Sequence, residues 1–209
     1  MPSTAQAHPL AHWLYLLWGI TPTLHLDSGA ERPSLVGDHL HLPARTHWQQ
    51  PGAAAARAAA PLVYSPPAFD STGLTPFTRT LMALLEDARV EALAIRELPG
   101  LARLWTPQHA ATPTSWMQRL ARALADPDYH DPHPWIVEAR RCVFLDQAQT
   151  LLALCTPADL HDATLHLAHG GLPNGQAGSS LPIGDAVPAY RDDHRWMWSA
   201  KAVSMPTCA

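Results

Sequence analysis

Lysine is almost absent from this chain: Lys201 is the only one. Charged residues of both signs make up 15% of the 209 residues, well below the usual share of about 25%. The other basic residues are mostly isolated arginines, and the net charge is −4. No basic stripe exists to follow a phosphate backbone, which argues against a nucleic-acid partner. Cysteine is scarce too. Cys142, Cys155 and Cys208 are widely spaced and form neither a CxxC pair nor a disulfide framework, so a reducing compartment fits them. No basic segment precedes the apolar run near the N-terminus, so no signal peptide is expected. That run, Leu10 to Ile20, is too short to cross a bilayer and is broken by His12. The expected location is the cytoplasm, without membrane insertion. Phosphate-binding P-loops, GxSxG elbows and Gly-rich dinucleotide motifs are all missing.

What is present is apolar and helical. Hydrophobic residues reach 47%, enough for a substantial core. With so few charges, the surface is either unusually neutral or partly covered by a partner. Alternating β-branched runs are few, so the expected fold class is all-α. The expected form is an irregular multi-helix bundle, with a Pro/Gly-rich N-terminal connection and an irregular C-terminal segment. Three stretches follow: 1–52, an N-terminal helix and irregular connection; 53–169, a helical core domain; 170–209, a loop and C-terminal docking segment. In the first, Leu10, Trp13, Leu14, Leu17 and Trp18 have helical spacing, ended by Gly19. Leu40 to Pro43 is the only strand-like piece there. In the core, Ala53 to Ala60 is nearly all alanine, the best helix former, and Pro61 kinks or stops it. The clearest helix runs from Pro76 to Leu98, with Thr75 as its cap. Further helices are expected at 101–105, 115–125, 134–154 and 156–169.

Chemistry concentrates at Glu86-Asp87-Ala88-Arg89-Val90-Glu91. On a helical wheel Leu81, Leu84, Leu85, Ala88, Ala92 and Ile95 share one face. Glu91 falls inside its margin with Asp87 one turn earlier, and Arg89 falls on the opposite margin. A carboxylate at the edge of a core face needs a partner. One reading of Glu91 is a buried ion pair; the other is a metal ligand or acid/base residue. A zinc-peptidase-like site would want two histidines four residues apart on the preceding helix. That helix offers Arg57 and Pro61 instead, so such a site looks incomplete. Among the 13 histidines, Asp162, His166 and His169 could share a helix face, and His130 and His133 share a turn. Neither set has the spacing of a known metal finger. Near the C-terminus, Tyr190, Arg191, Asp192 and Asp193 precede Trp196 and Trp198. This segment reads either as a structural clasp or as a partner-binding patch, since Trp, Tyr and Arg are enriched at hot spots.

Leu85 to Glu91, followed by Pro99-Gly100-Leu101 and Leu104-Trp105, resembles a helix-and-turn signature of the nitric oxide reductase activation proteins of NorD type, whose relatives are associated with RuBisCO activation (CbbO type). Pro188 to Asp193 with Trp198 resembles a second segment of that family. Asn174-Gly175-Gln176 resembles a shortened form of a third, and the likeness spans roughly residues 45–200. It implies a helical region preceding a von Willebrand A domain, and joint action with a MoxR-type AAA+ ATPase on a target metalloenzyme. The metal-binding Asp-x-Ser-x-Ser motif of that later domain is missing here, so a truncated or split version is expected, a split version having the von Willebrand A domain on a separate chain. The resemblance implies a non-catalytic accessory or adaptor protein without a cofactor or metal of its own. Glu86, Asp87, Arg89, Glu91 and Trp105 would hold and dock helices. Tyr190, Arg191, Asp192, Asp193 and Trp198 would fix the C-terminal segment. The alternatives are a metal-dependent hydrolase-like protein using Glu91, and a non-functional fragment.

Overall fold

A computed structural model describes residues 7–30, 32–44, 51–65, 69–109, 116–143, 156–169 and 195–198. Helices dominate it. Helix α1 (Ala7–Trp18) leads through Gly19 into three short strands: β1 (Thr23–Asp27), β2 (Ser34–Val36) and β3 (His39–Pro43). Gly19 has a φ of +70° and its N–H reaches Tyr15 O at 2.8 Å, a glycine stop for the helix. Then come α2 (Pro51–Ala59), α3 (Pro61–Tyr64), α4 (Pro76–Glu97) and α5 (Gly100–Trp105), the last running into a 3₁₀ turn at 106–109. Helices α6 (Trp116–Ala125), α7 (Pro134–Val143) and α8 (Pro157–His169) follow, with a second 3₁₀ turn at 195–197.

The purely α expectation is therefore corrected: the stretch expected to be an irregular connection carries a small sheet of order β1-β3-β2. Strand β1 runs parallel to β3, while β2 pairs antiparallel with it through a two-residue turn at Gly37 (φ +61°) and Asp38. The reason is a period of two. Leu24 pairs with Leu40 and Leu26 with Leu42, all facing inward, while His25 pairs with His41 on the other face. There the His25 ring stacks on His41 (centroids 4.7 Å) and on His39 (5.1 Å).

Other boundaries follow the residues closely. Thr75 caps α4, its hydroxyl accepting from Thr78 N–H at 3.1 Å. Thr156 caps α8 in the same way, through Asp159 N–H at 3.1 Å. Pro61 does interrupt the alanine helix, and the chain restarts as α3. The described part of α7 ends at Val143; residues 144–155 of the expected longer helix lie outside the described residues.

Two cores meet along α4. The first gathers Leu81, Met82, Leu84, Leu85 and Ala88 of α4 with the inner faces of α6, α7 and α8. The second gathers Val90 and Ala94 of α4 with Leu14 of α1, the sheet leucines, the alanines of α2, and Leu101 and Trp105 of α5. Helix α4 is thus covered on more than one side. Arg89, which the wheel puts on the margin of the core face opposite Glu91, is buried. No helix among the described residues is long and apolar enough to cross a membrane.

Candidate functional site

The densest polar group lies where the two cores meet. Helix α2 carries a single charge, Arg57, among buried alanines. Because alanines leave room between backbones, the guanidinium reaches across to α4 and α5's following turn. Its Nη2 donates to Glu91 Oε1, its Nη1 donates to Gln108 Oε1 at 2.9 Å, and Nη2 also lies 2.7 Å from His109 Nε2. That same imidazole nitrogen is 3.0 Å from Glu91 Oε2. Carrying its proton, Nε2 donates to Glu91; bare, it accepts from Arg57. Arg57, Glu91 and His109 are all buried. Both Glu91 oxygens are engaged, and the positive charge a metal would bring is already supplied by the guanidinium. A buried pair of this kind tolerates its desolvation only with added hydrogen bonds, which Gln108 and His109 provide.

One turn earlier, Glu86 is fully buried and accepts a two-pronged bond from Arg89: Nε to Oε2 and Nη2 to Oε1, both at 2.6 Å. Arg89 Nη2 also donates to Tyr64 O at 2.8 Å, tying the end of α3 to α4. The Tyr64 hydroxyl in turn donates to Glu97 Oε2 at 2.6 Å. Burial, together with that bond, pushes the Tyr64 phenol well above its ordinary range. Asp87 sits half-buried on the same helix. Trp105 is fully buried, its indole N–H donating to Ala53 O at 3.0 Å, which fixes α5 to α2.

The C-terminal segment is described only at 195–198, so Tyr190, Arg191, Asp192 and Asp193 lie outside the described residues. Within it, Trp196 Nε1 donates to Ser65 O at 2.6 Å, and Met197 is buried in the first core. Phe69 N–H donates to Met197 O at 3.1 Å, and Trp198 meets the Phe69 ring edge-to-face at 6.4 Å. Trp196 packs on the second core and Trp198 on the first, which gives this stretch the geometry of a clasp.

The two histidine sets considered from sequence do not converge. His130 Nδ1 lies 3.0 Å from Asp128 O, whereas the His133 ring meets Trp116 at 4.0 Å. The turn is organised instead by Asp131. That carboxylate accepts from Arg119 (2.8 and 2.5 Å), from the Tyr129 hydroxyl (2.8 Å) and from His133 N–H (3.0 Å). On α8, Asp162 lies beside His161, and His169 Nδ1 faces Leu165 O at 2.7 Å. His166 turns the other way, toward Glu138 of α7.

Sequence reasoning read Glu91 as an acid in need of a partner, but read Arg57 only as standing where a metal site would want a histidine, not as that partner. It missed His109 and Gln108. The only signal was the unmet need of a buried acid, and 13 histidines made that ambiguous. No protein-family model matches the chain, and neither a curated protein nor a solved structure does.

Proposed function

We propose that this chain is a non-catalytic accessory protein, an adaptor that works with a MoxR-type AAA+ ATPase to activate a metalloenzyme or insert its cofactor. The observation that carries the reading is the use of the charges in the segment resembling the activation proteins. Glu86 and Arg89 bind each other, and Glu91 binds Arg57 and His109, so these charges act as internal struts between helices. Such struts keep a surface rigid while it receives force from a partner. A candidate contact surface lies on α1, where Leu16 is 65% and Tyr15 55% exposed beside Trp13. Adjacent exposed aromatic and aliphatic side chains are the usual material of interface anchors. The ATPase supplies the work, and this chain supplies target contact.

The test is a pull-down of the tagged full chain from its native cell extract with ATP present, beside a Tyr15→Glu/Leu16→Glu variant. The expected result is recovery of a MoxR-type ATPase or a von Willebrand A chain, reduced at least about tenfold by the variant, which corresponds to roughly 1.4 kcal/mol of binding. Recovery of neither, from protein shown to be folded by circular dichroism, sinks the adaptor reading.

A further inference from the structure

Helices α7 and α8 bring together three side chains whose chemistry the struts of the core do not use. Glu138 and Cys142 are one turn apart on α7, and His166 faces them from α8. Cys142 Sγ lies 3.5 Å from Glu138 Oε1, as does His166 Nε2, and one donor atom from each residue falls within 4.8 Å of the others. A tetrahedral zinc with bonds of about 2.0–2.3 Å sets its ligands roughly 3.3–3.7 Å apart. The two edges at Glu138 are therefore already near those of such a site, and the third, between Cys142 and His166, lies within 4.8 Å. We propose that Glu138, Cys142 and His166 form a zinc site, with water completing a fourth, outward-facing position.

The surroundings suit the ion. The Trp135 indole N–H donates to Leu167 O at 3.1 Å, and Leu160, Leu167 and Val143 are buried between the same helices, so α7 and α8 are held in register. Arg141 bonds Glu138 at both oxygens (2.9 and 2.7 Å). With zinc on Oε1, the exposed Arg141 side chain gives up its Nη2 bond to that oxygen and keeps Oε2 through Nε, as outer-shell partners of metal sites do, a freedom the buried Arg57 at Glu91 lacks. Cys142 would bind as the thiolate. Zinc must displace its proton, so binding releases one proton to solvent, and one thiolate with one carboxylate balances the dication. The inference stands apart from the adaptor reading.

The test is titration of the reduced full chain with Co²⁺ as a spectroscopic probe, followed by displacement with Zn²⁺. One equivalent should bind with a thiolate-to-cobalt charge-transfer band. Cys142→Ser should abolish the band. His166→Ala and Glu138→Gln should each weaken binding at least as much as loss of an outer-shell partner, roughly 10–100-fold. A missing band overturns the proposal. So does a band that survives Cys142→Ser, which would place the metal on Cys155 or Cys208. A band whose affinity His166→Ala leaves unchanged also overturns it, as an adventitious metal on a cysteine. His166 is exposed, so its variant folds and decides the matter even where Cys142→Ser does not.

Discussion

The two cores are built from different material. The first is filled by long side chains: Leu81, Met82, Leu85, Leu120, Ile136, Leu160 and Met197 are fully or almost fully shielded. Two of the ion pairs beside it differ: Arg119–Asp131 has a buried carboxylate under a half-buried arginine, whereas Arg141–Glu138 is exposed. In the second, Ala53, Ala55, Ala56, Ala58, Ala59 and Ala60 take the places where large side chains would sit. Small residues bring helix axes close and leave volume elsewhere. Here the guanidinium of Arg57 and its partners occupy that volume. A core of large aliphatics needs no polar contact to be specific, because shape decides its packing. The second core has large side chains too, among them Leu14, Leu35, Leu40, Leu42 and Trp105, but its α2 face of alanines has little shape of its own, and there a hydrogen-bonded charge group supplies directional contacts between α2, α4 and the turn after α5.

The contrast can be broken most forcefully at the buried charges. Arg57→Ala should cost about 3–5 kcal/mol in denaturant unfolding, because it strands Glu91 in the interior. Arg57→Met combined with Glu91→Leu should cost much less than either single change, because no lone charge remains. Single variants as stable as the parent would show that the cluster contributes nothing to the second core.

A second comparison sharpens the difference in packing. Leu120→Ala in the first core should cost about 2–5 kcal/mol by opening a cavity. In the second core the harmful direction is reversed: Ala56→Leu should cost about 1–3 kcal/mol through overpacking. Hydrogen exchange should localise each loss, to α6 and α7 for the former and to α1 and α2 for the latter. Equal protection changes across both halves would mean that the cores unfold as one.

A further effect belongs to the Arg119–Asp131 pair. Burial pushes the Asp131 carboxyl up, but Arg119, the His133 N–H and the Tyr129 hydroxyl outweigh it and hold it below its ordinary value of 3.8. A lowered folded value means that its stabilising contribution is complete above pH 3.8 and is lost as pH falls through the folded value. Asp131→Asn should therefore cost about 2 kcal/mol near neutrality, a difference that closes on acidification. A gap that stays constant down to pH 2 would remove the carboxylate from the account.

Helices were legible wherever a cap, a proline and a 3.6-residue period agreed, as at Thr75-Pro76 and Thr156-Pro157. The sheet was legible only at Leu40 to Pro43. Its partner Leu24-His25-Leu26 carries the same alternation, but three residues between prolines and glycines give too short a period to be read alone. The burial of Arg89 could not be read from a wheel, which considers one buried face, whereas α4 is covered by two cores. The three residues of the proposed zinc site were also hidden. Asp162 and His169 share a helix with His166 and seemed its natural companions, but rotation of α8 against α7 chose Glu138 and Cys142 instead.

The sequence by itself determined the local terms: where most helices start and stop, that apolar residues suffice for a core, and that Glu91 must find a partner. Those follow from capping, periodicity and the cost of burying charge, which act over a few residues. Only the tertiary structure decided which partners were found. Arg57 meets Glu91 across 34 residues, and His109 meets it across 18. Trp196 reaches Ser65 across 131. Such pairings depend on how whole helices cross, and crossing is set by the summed shape of two cores rather than by any short stretch of chain.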